Sequence, residues 1–270
     1  MELRRLFVTL AVTLCTLHAY AATDTLDEVR QKGVLVAGVK DSLPPFGYVD
    51  ARTRSIVGYD VDFCQAIAKR LGVRLELKPV TSADRVPQLV EGNIDIIAAT
   101  MTKNQQRARQ IDFSYTYFLT GQKFLARKGT LRTLNDLAGK KIGTAKGSTS
   151  EQNVKKAVPS ATVLSFEDYP QAFLALEQGR VVAVTTDEAI LAGILAKAPK
   201  LDKFEIPDIQ ISEEPNGLGM RKGDKRFVDF VDKALLQMEQ SGEAQRIFDK
   251  WFGPGSAAPM KRIFEISVDR

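Results

Sequence analysis

Short apolar runs alternate with amphipathic ones along this chain, and that rhythm restricts its fold more than any single motif. Residues 34–39 (VLVAGV), 141–145 (KIGTA) and 181–185 (VVAVT) read as strands, and 94–99 (IDIIAA) as a buried parallel one. Residues 73–77 (VRLEL) and 161–165 (ATVLS) read as further strands. Helical patterns lie between them: one capped by Asp60 and ending near Gly72, one capped by Ser82 and stopping at Gly92, and one capped by Asp168 and ending at Gly179. A strand–helix–strand order told twice predicts an α/β protein with largely parallel sheet. After Pro215 the pattern changes to a strand (217–220, GLGM) and two amphipathic helices, about 227–240 and 243–252. Those helices need a surface to bury against. Packing them on the first half gives two lobes joined by two crossings.

The N-terminus reads as an address. Arg4 and Arg5 precede an apolar stretch from Leu6 to Leu17, and Ala19-Tyr20-Ala21 forms an A-x-A cleavage site. A lipobox around Cys15 fits less well, since Leu14 stands where a small residue is needed. Removing residues 1–21 also removes His18 and Cys15, leaving a chain without histidine and with the single thiol Cys64. A Ser-His-Asp triad, a histidine-built zinc site and an intramolecular disulfide are thereby excluded. No metal or cofactor is expected. Cys64 falls on the apolar face of its helix with Phe63, Ile67 and Leu71, the place of a buried inert thiol. The net charge of +5 is scattered rather than striped, which argues against nucleic-acid binding.

Residues 81–107 (TSADRVPQLVEGNIDIIAATMTKNQQR) carry the densest chemistry. Ligands of open α/β sheets bind beyond the carboxyl ends of strands. Thr100 and Thr102 sit at such an end, and Thr102 with Gln105 forms a capping box for a helix carrying Arg107. Ser148 with Glu151 forms a second capping box in the other half, with Thr149 beside it. Free N–H groups at such helix starts suit an anion, although each hydroxyl alone also serves as a plain cap. Arg107 can clamp a carboxylate bidentately or lie solvated on its helix, as Arg109 is expected to. Asp187 can face an ammonium or cap the following helix. Lys40, at the end of the first strand, and Arg85, in a helix's first turn, add cationic groups.

These pieces occur in a long ordered series: GVKDSLPPFGYVD (38–50), IVGYDVDFCQAIAKRLG (56–72), TSADRVPQLVEGNIDIIAATMTKNQQRARQIDFS (81–114), LNDLAGKKIGTAKGSTSE (134–151), TDEAILAG (186–193) and GLGMRKGD (217–224). The series resembles the family 3 extracellular solute-binding proteins, soluble receptors of polar amino-acid ABC importers, and most of all their glutamate/aspartate-binding branch. The resemblance implies a two-lobed periplasmic binding protein of type II-like fold. Residues 22–117 plus 217–253 would form one lobe and 122–212 the other. The hinge segments would be 118–121 and 213–216, and 254–270 a surface tail. It implies that Arg107 holds an α-carboxylate with help from Thr102 and the Ser148-Thr149 loop. Asp187 would take the α-ammonium, with Thr100 at the same end, and Lys40, Ser82 and Arg85 would meet a side-chain carboxylate. Tyr169 stands where some relatives use a histidine. The implied partners are L-glutamate or L-aspartate and a membrane permease, with the receptor a monomer. Glutamine or another polar amino acid is the alternative ligand. A cyclohexadienyl dehydratase on the same fold is the enzymatic alternative, which would need a general acid such as Glu188.

Overall fold

A computed structural model describes residues 24–198 and 201–268, so the expected signal segment lies outside the described residues. The first half runs α1 (Thr25–Lys32), β1 (Val34–Val39), β2 (Ser42–Leu43), β3 (Gly47–Val49), β4 (Ile56–Val57), α2 (Tyr59–Leu71), β5 (Arg74–Pro79), α3 (Arg85–Val90), β6 (Ile96–Ala98) and α4 (Gln105–Ala108). The long strand β7 (Ile111–Arg127) leads to β8 (Lys141–Ala145), α5 (Thr149–Ala157), β9 (Thr162–Phe166), α6 (Tyr169–Glu177), β10 (Ala183–Asp187) and α7 (Glu188–Ala196). The short β11 (Phe204–Glu205), β12 (Ser212–Arg221), α8 (Lys225–Gln240) and α9 (Glu243–Phe252) complete the order.

One nine-stranded sheet runs through the molecule in the order β5-β1-β6-β12-β7-β10-β8-β9, with β11 pairing β7 to the side. The outer triplets β5-β1-β6 and β10-β8-β9 are parallel, as expected for strands linked by crossover helices. Antiparallel pairing of β7 with β12 joins them, from Arg221 opposite Ile111 to Ser212 opposite Gln122. The hinge is therefore two extended strands shared by both lobes. Their ladder shifts register around Asn216 and Gly217, the kind of bulge that bends and twists a strand locally.

Leu35, Ala37 and Val39 of β1 and Ile96 and Ala98 of β6 are fully buried, and Phe63, Cys64 and Ile67 of α2 pack into the same core. Burial pushes the Cys64 thiol pKa upward, in keeping with an inert thiol. Phe118 of β7 lies against Phe46, Tyr59, Phe248 and Phe252, an aromatic block centred on the hinge strand.

The expected surface tail is mostly exposed among its described residues but is anchored at a few points. Residues past 253 form no helix or strand among those described, yet Ala258 and Ile266 are buried. Phe264 meets Phe118 with ring centroids 5.3 Å apart, Arg262 pairs with Glu239, and the Ile266 N–H donates to Glu239 Oε2 at 3.1 Å. The segment straps α8 and α9 to the hinge strand because it carries its own apolar residues. Three expected caps also differ. Gly58 is the N-cap of α2, and Asp60 lies inside its first turn, fully buried. Asp84 precedes α3, and Asn104 caps α4 by accepting the Arg107 N–H. Each displaced residue has a tertiary partner instead.

Candidate functional site

The first lobe buries two cations where β1 and β6 end. Lys40 follows β1, is 5% exposed, and donates from Nζ to Ser82 Oγ at 3.0 Å. This bond takes Ser82 from the cap role expected of it. Arg85, the first residue of α3, is 2% exposed; its guanidinium donates to the carbonyls of Ala99 and, at 3.2 Å, Thr100. The Arg85 Nε has no hydrogen-bond partner among the described residues. Among the described residues neither cation has a carboxylate within ion-pair distance. Burial, with Arg85 beside it, holds the Lys40 pKa well below the ordinary lysine range. Burial and then the charge of Arg107 press Arg85 down to about 9.

Thr100 takes the left-handed conformation, with φ 49°, that a β-branched residue seldom adopts. Both of its backbone groups are pinned. Its N–H donates to Asp60 Oδ2 at 3.1 Å, and its carbonyl accepts from Arg85. The Tyr117 hydroxyl donates to Asp60 Oδ1 at 2.6 Å. Burial raises the Asp60 carboxyl to about 7, against the pull of these hydrogen bonds and of Lys40 and Arg85.

Arg107 on α4 spans the cleft. It donates to the Thr102 carbonyl at 2.8 Å and to the Gly147 carbonyl of the opposite lobe at 3.2 Å. Ser148 and Thr149 stand on that opposite wall; Ser148 Oγ donates back to the Ala145 carbonyl at 2.6 Å instead of capping α5. Tyr169, 3% exposed, has its hydroxyl 3.4 Å from Ser150 Oγ and shares a pocket with Lys40 and Ser82. Arg107, Ser148 and Thr149 line a second pocket together with Asn104 and Gly147. Asp187 ends β10, is 4% exposed and makes no cap bond; Asn216 Nδ2 donates to its Oδ2 at 3.3 Å. Burial, then the negative charge of Glu214, raises Asp187 to about 7. Arg109 is exposed, as expected.

The lobes touch directly. A Cβ on Gly147 would lie 2.7 Å from Ala83 Cα, and one on Gly193 of α7 would collide with the Pro44 carbonyl. Lys197 Nζ sits 3.7 Å from the centroid of the Tyr48 ring. Of the ten residues singled out in the sequence, Lys40, Ser82 and Tyr169 line one pocket and Arg107, Ser148 and Thr149 another, while Arg85, Thr100, Thr102 and Asp187 are buried. Glu214, Asn216 and Asp60 were missed there. The one available signal was a second carboxylate, Glu214, in a run of strand residues whose neighbours turn inward.

The sequence profile of the bacterial extracellular solute-binding proteins, family 3, matches residues 35–254. The chain belongs to that family. This family 3 receptor is 40% identical over 212 residues to a glutamine-binding protein of Geobacillus stearothermophilus, covering 77% of the chain and 80% of the relative. It is 36% identical over 262 residues to the glutamate/aspartate import solute-binding protein of Escherichia coli (strain K12), covering 92% and 86%. An ancestral arginine-binding protein bound to glutamine matches with a TM-score of 0.78 at 40% identity, covering 82% of this chain and 98% of that one. The receptor is thus the solute-binding protein of an amino-acid ABC transporter, with the two-lobed α/β fold of its relatives. Among the described residues no helix is long and apolar enough to cross a membrane.

Proposed function

We propose that the protein, exported to the periplasm after cleavage near Ala21, closes on an acidic amino acid and presents it as a monomer to a membrane permease. The observation that carries this reading is the pair Lys40 and Arg85, buried side by side without a carboxylate partner among the described residues. Unpaired buried charge is costly, and a ligand carboxylate would relieve it. Glutamate or aspartate brings two carboxylates and one ammonium. Arg107 would hold the α-carboxylate beside Thr102 and the Ser148-Thr149 loop, Asp187 with Thr100 would hold the ammonium, and Lys40, Ser82 and Arg85 would read the side chain. Tyr169 would close the side-chain end. No catalysis is proposed. Glu188 forms an ion pair with Lys123 at 3.0 Å and lines a groove with Thr120, Gly121 and Glu213, among none of the ten residues singled out in the sequence.

The test is calorimetric titration of the protein, unfolded and refolded to strip cargo, with glutamate, aspartate, glutamine, arginine and prephenate. Tight one-to-one binding of glutamate or aspartate with weak glutamine supports the reading. Binding of only neutral or basic amino acids overturns the side-chain assignment, and release of phenylpyruvate from prephenate makes the protein an enzyme.

A further inference from the structure

Glu214 occupies an unusual place, near the start of hinge strand β12, 2% exposed, with hydrogen bonds arriving from both lobes. Its Oε2 accepts from Thr102 Oγ1 at 2.7 Å and from Thr149 Oγ1 at 2.9 Å. Those hydroxyls lie on opposite walls of the cleft and stand 3.4 Å from each other. Its Oε1 accepts from Asn153 Nδ2 on α5 at 2.8 Å and from Ser212 Oγ on its own strand. Four neutral donors therefore satisfy one buried carboxylate, and no cation is among them. Two of the four belong to α5 and one to the segment before α4, elements that separate when a hinged cleft opens.

We infer that Glu214 is a positioning residue of the closed form: a hinge-borne latch whose single carboxylate gathers Thr102 from one lobe and Thr149 and Asn153 from the other. The latch also fixes the direction of two hydroxyls. With their protons given to Glu214, Thr102 and Thr149 present only lone pairs to the cleft, which leaves the Arg107 guanidinium as the group that meets a carboxylate there. The neighbouring Asp187, tethered to β12 through Asn216, faces the same region. Arg107 is drawn in as well, because it donates to the carbonyl of the latched Thr102 and to Gly147, two residues before the latched Thr149. One side chain outside the ten picked from the sequence thereby sets the geometry of three of them. Buried hydrogen bonds to a charged group carry more weight than neutral ones, and the bonds from Thr102 and Thr149 converge on one oxygen only when the lobes meet. The latch accordingly acts on how long the closed form lasts rather than on how fast ligand enters.

The latch rests on the proposed ligand only for the choice of probe. Stopped-flow kinetics and an interlobe distance, from a fluorophore pair with one dye on each lobe, are measured for wild type, Glu214→Gln and Glu214→Ala. The probe is L-glutamate, or L-glutamine if the wild type takes only the amide; failure of the acidic-ligand reading then shows in the wild type, and failure of the latch only in the variants. Glu214→Gln keeps the side chain's volume and guards against misfolding. The expected result is faster dissociation, about tenfold or more for Glu214→Ala and less for Glu214→Gln, with association within about twofold of wild type and a longer mean interlobe distance at saturation. A role confined to folding would lower the melting temperature and leave dissociation and distance unchanged, and that outcome overturns the proposal. So does a loss of affinity carried by slower association.

Discussion

Asp187 and Asp60 are carboxyl groups that burial makes reluctant to ionise, both raised from the ordinary 3.8 to about 7. A folded-state pKa above the unfolded one stabilises the protein below the unfolded value, and that support is lost as pH rises through the folded value. The ligand-free protein should therefore lose stability from these two groups between about pH 4 and pH 7, read as a falling melting temperature. Ligand binding should run the other way. An ammonium needs Asp187 ionised, so affinity for an amino acid should fall as pH drops below about 7, with proton release on binding visible in calorimetry across buffers of different ionisation heat. Truncation separates the charges further. Arg107→Ala or Asp187→Ala should weaken binding about thirtyfold or more, the cost of leaving one partner of a buried charged pair alone. Arg85→Ala should reduce glutamate affinity more than glutamine affinity; equal loss in a paired titration would show that Arg85 does not read the side chain.

Among the elements, α7 gives a clean handle on closure. Gly193 lies in that helix with ordinary helical backbone, yet a Cβ there would strike the Pro44 carbonyl of the other lobe. Gly193→Ala should hold the lobes apart and weaken binding while leaving the melting temperature of the ligand-free protein near wild type. The C-terminal strap offers a second. Phe264→Ala removes a half-buried ring from Phe118 and Phe248 and should cost about 1–3 kcal/mol in chemical denaturation, below the 3–5 typical of a fully buried ring. Elements with strong period and clear ends were legible in the sequence: β1, β8 and α9 have the bounds their patterns predict. Caps were read less well. Ser82, Asp60 and Ser148 have the residue types and spacings of local caps, but Lys40, Thr100 and Ala145 claim them, two of the three from far along the chain. Glu214 escaped for the same reason. Its donors come from residues 102, 149 and 153, and no local pattern encodes that meeting.

For the whole molecule, the lobes meet at Gly147, Gly193 and Lys197 around a hinge of two strands, so opening requires these contacts to break while the β7–β12 ladder persists. Ligand should shift the population toward the compact form, seen as a smaller radius of gyration in solution scattering. At a hundred times the dissociation constant it should add about 2.7 kcal/mol to stability. The same sheet order bears on how the chain is made. β12, residues 212–221, lies between β6 and β7, so the first lobe's sheet stays split until the last quarter of the chain has emerged. Pairings that distant in sequence form slowly. During synthesis the first lobe therefore stays incomplete until nearly all of the polypeptide exists, and the proposed export would benefit, since a channel that passes unfolded chains requires that condition.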